Sequence, residues 1–102
     1  MDLNSPSTFE PDQELLDQIQ TLAYDLMSWK DIAFYLHIPP RTFKMLFDNE
    51  NSSIRIAYQS GRIKRKHELR VPILRMATQG SPQAELLAVK FLDQQYYDEI
   101  DE

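Results

Sequence analysis

Two adjacent prolines, Pro39 and Pro40, constrain this chain more than any other feature. A residue before proline is pushed out of the α region, so a helix that precedes them must end there. Pro40 suits the first position of a following helix, where a missing N–H costs nothing. Residues 27–47, MSWKDIAFYLHIPPRTFKMLF, therefore read as two short helices joined by a tight turn. Ser28 is a good N-cap, and Asp31 three residues on can complete a capping box, with its charge favoured by the helix N terminus. Ile32, Ala33 and Leu36 fall on one face, with Ala33 small where a second helix would cross closely. After the prolines, Phe43, Leu46 and Phe47 make an apolar face, while Arg41, Lys44, Met45 and Asp48 point the other way.

This is the spacing of a helix-turn-helix, in which the second helix lies in the DNA major groove with its N-terminal residues on the bases. Arg41 and Lys44 are then the first candidates for DNA contact. His37 stands where such turns often carry glycine, at a position that tends to need positive φ. A non-glycine residue there costs about 1 kcal/mol, and His is among the better tolerated. The same helix pair also occurs in all-α proteins that never meet DNA.

Upstream, the first helix is expected to start near Pro11. Its apolar stripe is Leu15, Leu16, Ile19, Leu22, Ala23 and Leu26, which packs on the following helices. Residues 1–10 carry no periodicity and are expected to be disordered. Residues 11–50 form the helix-turn-helix unit. Downstream, Ser53 can cap a helix through Gln79, on the order of 40 Å long at 1.5 Å per residue. Ile54, Ala57, Tyr58, Gly61, Leu69, Pro72 and Met76 line one side of it, and Ile56, Ile63, Leu74 and Ala77 lie nearly opposite. A helix apolar on two sides has its own domain for one partner and something else for the other. A homo-oligomer formed through Ile56, Ile63 and Leu74 is the expectation. Gly61 costs about 1 kcal/mol relative to alanine, which points to close packing. Pro72 predicts a kink or a break.

Gly80 and Ser81-Pro82 end this helix and begin a fifth, expected to reach about Gln95. Residues 51–95 thus read as a helical hairpin and assembly region. Residues 96–102 read as an acidic tail, either solvated or docking on a basic partner surface. The fold class expected is all-α: a three-helix helix-turn-helix unit, a long helix kinked or broken at Pro72, and a short C-terminal helix.

Charge is distributed in blocks. The net −5 divides into −6 over residues 1–50, +6 over 51–80 and −5 over 81–102. Arg55, Arg62, Lys66 and Arg70 form a basic ridge along the long helix, a second candidate strip for phosphates. Five phosphate contacts would give a log–log salt slope of roughly −4 to −5. The competing expectation is that the acidic segments consume this ridge within the fold or an oligomer. With no cysteine, and with His37 and His67 on different elements, a metal site or other cofactor is not expected. The only two glycines, Gly61 and Gly80, cannot build a phosphate-cradling loop or a nucleophile elbow, so no enzymatic activity is expected. No apolar run approaches bilayer length and the N terminus does not resemble a signal peptide, which predicts a cytoplasmic protein without membrane contact.

The order M-S-W-K-D-I-A-F-Y-L, turn, P-R-T-F-K-M-L-F, then A-Y-Q-S-G-R and M-A-T-Q-G-S-P-Q-A resembles the small subunits of bacteriophage terminases and related phage helix-turn-helix proteins, over roughly residues 16–92. The resemblance implies a non-catalytic subunit that recognises double-stranded DNA, assembles into an oligomer and delivers viral DNA for packaging to a separate large subunit, with the acidic tail as a contact to that subunit. It puts Arg41, Thr42 and Lys44 on the recognition helix and the long helix in the assembly region. Such subunits are often longer than this chain. A helix-turn-helix transcriptional regulator and a helical protein-interaction adaptor without DNA binding are the alternative classes.

Overall fold

Asp12 starts the first helix: its backbone is extended and its carboxylate accepts the Leu15 N–H at 2.8 Å, satisfying one of the donors a helix start leaves without partners. From there the computed structural model describes residues 10–100 as five helices, with no strand among the described residues. They are α1 (Gln13–Tyr24), α2 (Trp29–Tyr35), α3 (Pro40–Phe47), α4 (Ser53–Thr78) and α5 (Pro82–Ile100). The expected all-α class and order of helices hold. The expected disorder of residues 1–10 falls, but for Glu10, outside the described residues.

Three of the helices end in the same way. After α2, His37 takes φ 58°, its N–H donates to Phe34 O at 3.2 Å, and Ile38 N–H reaches back to Ala33 O at 2.9 Å. This is a Schellman ending, with the left-handed residue just past the cap. Gly80 makes the same ending after α4, with φ 93°. After α1 the left-handed residue is Leu26, at φ 68°. Leu26 is therefore lifted out of the apolar stripe that its spacing predicts, and it is 51% exposed.

The core of the first part of the chain is built from Ile19, Ala23, Ile32, Ala33, Ile38, Phe43, Ile54 and Ala57. Leu22, Leu36, Leu46, Phe47 and Tyr58 pack partly buried against it. The α1, α2 and α3 stripes therefore meet as their spacing predicts, and the turn residue Ile38 is drawn in with them.

One compact unit extends through Arg65 and a second begins at Lys66. The helix-turn-helix region is thus not closed at residue 50. The first turns of α4 supply Ile54, Ala57, Tyr58 and Gly61 to its packing. At Gly61 the helix meets α1 backbone: a Cβ there would overlap Gln20 O and lie 2.9 Å from Tyr24 N. Close packing is thus the reason for the glycine. The cap of α4 is Ser52 rather than Ser53. Its hydroxyl accepts the Arg55 N–H at 3.1 Å and donates to Leu46 O at 2.5 Å.

Within the second unit, α4 remains one helix through Pro72, so the alternative of a break is excluded. Proline removes a single donor, and the helix on either side retains its other bonds. Helix α5 continues to Ile100, past the expected end at Gln95. Side-chain bonds from Gln94 to Asp98 at 2.9 Å and from Gln95 to Glu99 at 3.1 Å span the added turn. Residues 96–100 are accordingly helix rather than a separate tail, and residues 101 and 102 lie outside the described residues.

Candidate nucleic-acid interface

The two short helices are positioned by aromatic stacking as well as by the core. Trp29 at the start of α2 lies 6.3 Å from Phe43 and 6.0 Å from Phe47, centroid to centroid, with rings close to parallel. Tyr58 of α4 meets Phe47 edge-on at 4.9 Å. Phe43 and Phe47 are four residues apart, so both face inward from α3 and set its rotation about its own axis. The opposite face then holds Arg41, Lys44, Met45 and Asp48, all exposed, as the spacing predicts. No side chain caps the N terminus of α3. Phosphate oxygens are suited to such helix starts.

Lys44 is engaged locally. Its Nζ lies 2.7 Å from Asp48 Oδ2, with both side chains more than half exposed, and 5.8 Å from the centre of the Trp29 ring. An exposed pair of this kind contributes at most about 1 kcal/mol, little enough for a phosphate to displace the carboxylate. Phe34, Tyr35 and Met45 add exposed apolar surface on the same two helices. Their exposure follows from spacing that places them off the Ile32, Ala33 and Phe43 faces.

Three of the six candidate DNA residues are engaged within the fold. Thr42 is 3% exposed, turned inward beside Phe43, so its hydroxyl is not on the outer face. Arg55 is half-buried, donates Nη1–H to Phe47 O at 2.9 Å and stacks 4.3 Å from the centre of the Phe47 ring. Arg62 donates from Nη2 to Met27 O at 2.9 Å and Leu26 O at 3.3 Å, with its guanidinium 5.1 Å from the Tyr58 ring centre. Both arginines are held by backbone carbonyls at helix junctions. Lys66 is exposed but belongs to the second unit. The structure thus brings together Arg41 and Lys44 on α3, whereas Arg55 and Arg62 reach backbone carbonyls beside the core.

Arg62 fixes the left-handed turn at Leu26, where a β-carbon crowds the following carbonyl. Hydrogen bonds from a charged donor contribute roughly 1.5–3 kcal/mol, and this one holds two carbonyls that helix geometry leaves exposed. Arg62→Ala is therefore expected to lower stability by about 1.5–3 kcal/mol in urea unfolding. Its DNA affinity should match the wild type's wherever the protein remains folded. A weakened DNA affinity with unchanged stability would restore Arg62 to the interface.

Among the described residues no group of three His, Cys, Asp or Glu side chains is placed to hold a metal ion. No described helix is long and apolar enough to cross a membrane. No family model matches the chain, and no curated protein or solved structure matches it either.

Proposed function

We propose that this chain is a non-catalytic DNA-binding protein that places α3 in the major groove, and that it serves as the DNA-recognition small subunit of a phage terminase. The observation that carries the DNA-binding reading is the α2–α3 pair itself. A left-handed His37 turn, a buried Ile38 and an inward Phe43 leave Arg41, Lys44 and Met45 side by side on an open helix face. Arginine near the start of such a helix reaches base edges, and the adjoining lysine takes a phosphate. The packaging role rests on the resemblance in sequence. Copies of the chain assemble through the apolar residues α4 and α5 leave uncovered, including Ile63 and Leu74 on α4 and Leu86 and Leu92 on α5. The large terminase subunit is a further proposed partner.

Binding of the full chain to duplexes selected from a random pool tests this reading. Arg41→Ala should reduce discrimination between selected and unselected duplexes by about 1–3 kcal/mol, roughly ten- to a hundredfold. Lys44→Ala should weaken binding to both alike. Tight binding of one short palindrome by a dimer would favour a transcriptional regulator instead. No binding at low salt would leave an interaction adaptor, a reading favoured by the internal use of Arg55 and Arg62.

A further inference from the structure

We infer that the groove between α4 and α5 in the second unit receives the acidic, aromatic end of α5 from a second copy of this chain. The groove encloses about 480 Å³. Leu69, Ile73 and Leu87 line it with apolar surface, while Lys66, Arg70 and Lys90 bring positive charge to it, and no carboxylate is among the lining residues. Arg70 is braced there, its guanidinium 4.9 Å from the centre of the Phe91 ring. The lining positions 66, 69, 70 and 73 on α4 and 87, 90, 91 and 94 on α5 repeat at i, i+3, i+4 and i+7. Two such faces side by side form a slot into which a further helix packs.

The occupant must be apolar along one side and negatively charged beside it. The end of α5 has that chemistry. Tyr96, Tyr97 and Ile100 are each more than half exposed. Asp98 and Glu99 stand among them, Asp101 and Glu102 follow, and residues 96–102 contain no Lys or Arg. The segment through Ile100 is already helical, so docking it does not require a new fold. A chain cannot fill its own groove this way. The groove's α5 wall ends at Gln94, and the same helix carries Tyr96 onward past it. Duplex DNA is the poorer fit, because a phosphate backbone would gain nothing from Leu69, Ile73 and Leu87.

This contact rests on the proposed assembly of copies and gives it a site. Sedimentation of the full chain tests it by charge exchange. Wild type should run as an oligomer that loses mass as salt is raised, since the contact is partly electrostatic. Arg70→Glu with Lys90→Glu makes the groove repel the α5 end, and Asp98→Lys with Glu99→Lys makes the α5 end repel the groove. Each double variant should self-associate about tenfold more weakly than wild type. An equimolar mixture of the two should recover wild-type association, as should a single chain carrying all four substitutions. A misfolded chain would not recover, so restoration separates this contact from general damage. Variants that associate like wild type, or a mixture and a quadruple variant that stay dissociated, would overturn the groove contact while leaving oligomerisation itself standing. A wild-type monomer at high concentration would overturn both.

Discussion

Phe43→Ala should remove about 3–5 kcal/mol of stability, the usual cost of emptying a buried phenylalanine site. The side chain is fully buried, stacks on both Trp29 and Phe47, which also stack on each other, and touches the part of the core that fixes α3 on α2. Neither neighbour can move into the space easily, because Phe47 is held by Tyr58 and Arg55 on its other sides. A domain of this size has roughly 0.05–0.15 kcal/mol of stability per residue, so the loss consumes most of what the N-terminal unit has. Urea unfolding followed by the fluorescence of Trp29, the only tryptophan, reports directly on this cluster. Phe43→Leu should retain more than half of the stability, since it refills most of the volume. A loss below about 1 kcal/mol for Phe43→Ala would mean that α3 is not anchored through this ring.

Gly61→Ala should cost about 3 kcal/mol, near the top of the usual range for overpacking. Replacing glycine by alanine inside a helix ordinarily stabilises by about 1 kcal/mol, so the sign itself is diagnostic. The added carbon would overlap Gln20 O and crowd Tyr24 N and Ala23 Cβ. Two of those atoms are backbone, which no change of rotamer relieves. Helix α4 would have to withdraw from α1, carrying Ile54 and Ala57 out of the core. The melting temperature should fall by more than 10 °C at about 4–8 °C per kcal/mol for a small domain. A variant as stable as wild type would show that α1 and α4 do not meet at this point.

Much of this architecture is legible in the sequence because its signals are local. The caps at Ser28 and Ser81, the prolines and the apolar spacing place the helices within a few residues. The left-handed turn at His37 follows from its place after α2, and the role of Gly61 follows from a glycine in a helix that gains nothing from one. Leu26 shows the limit. Its spacing extends the α1 stripe, but the chain turns there without a glycine, held by an arginine from a helix 36 positions away. The candidate interface fails to read out for the same reason. The spacing sets Arg55 and Arg62 on an outward basic ridge, whereas they meet carbonyls supplied by the α3 and α1 ends. Such partners exist only after folding. Thr42 lies on α3 as the resemblance implies, but it is buried beside Phe43 on the inward side of the helix.

The cations on α3 are Arg41 and Lys44, while Arg55 and Arg62 of α4 are bonded to backbone carbonyls. This lowers the expected electrostatic response well below that of the full basic ridge. The decisive measurement is the affinity of the full chain for duplex DNA across a series of salt concentrations, for wild type, Arg41→Ala and Lys44→Ala. Binding through α3 predicts a log–log slope of about −2 per bound chain, at roughly −0.9 for each phosphate neutralised, and a slope flatter by about one for Lys44→Ala. A slope of −4 to −5 that neither substitution alters, or no binding at low salt, would contradict the assignment of α3 as the DNA-reading element.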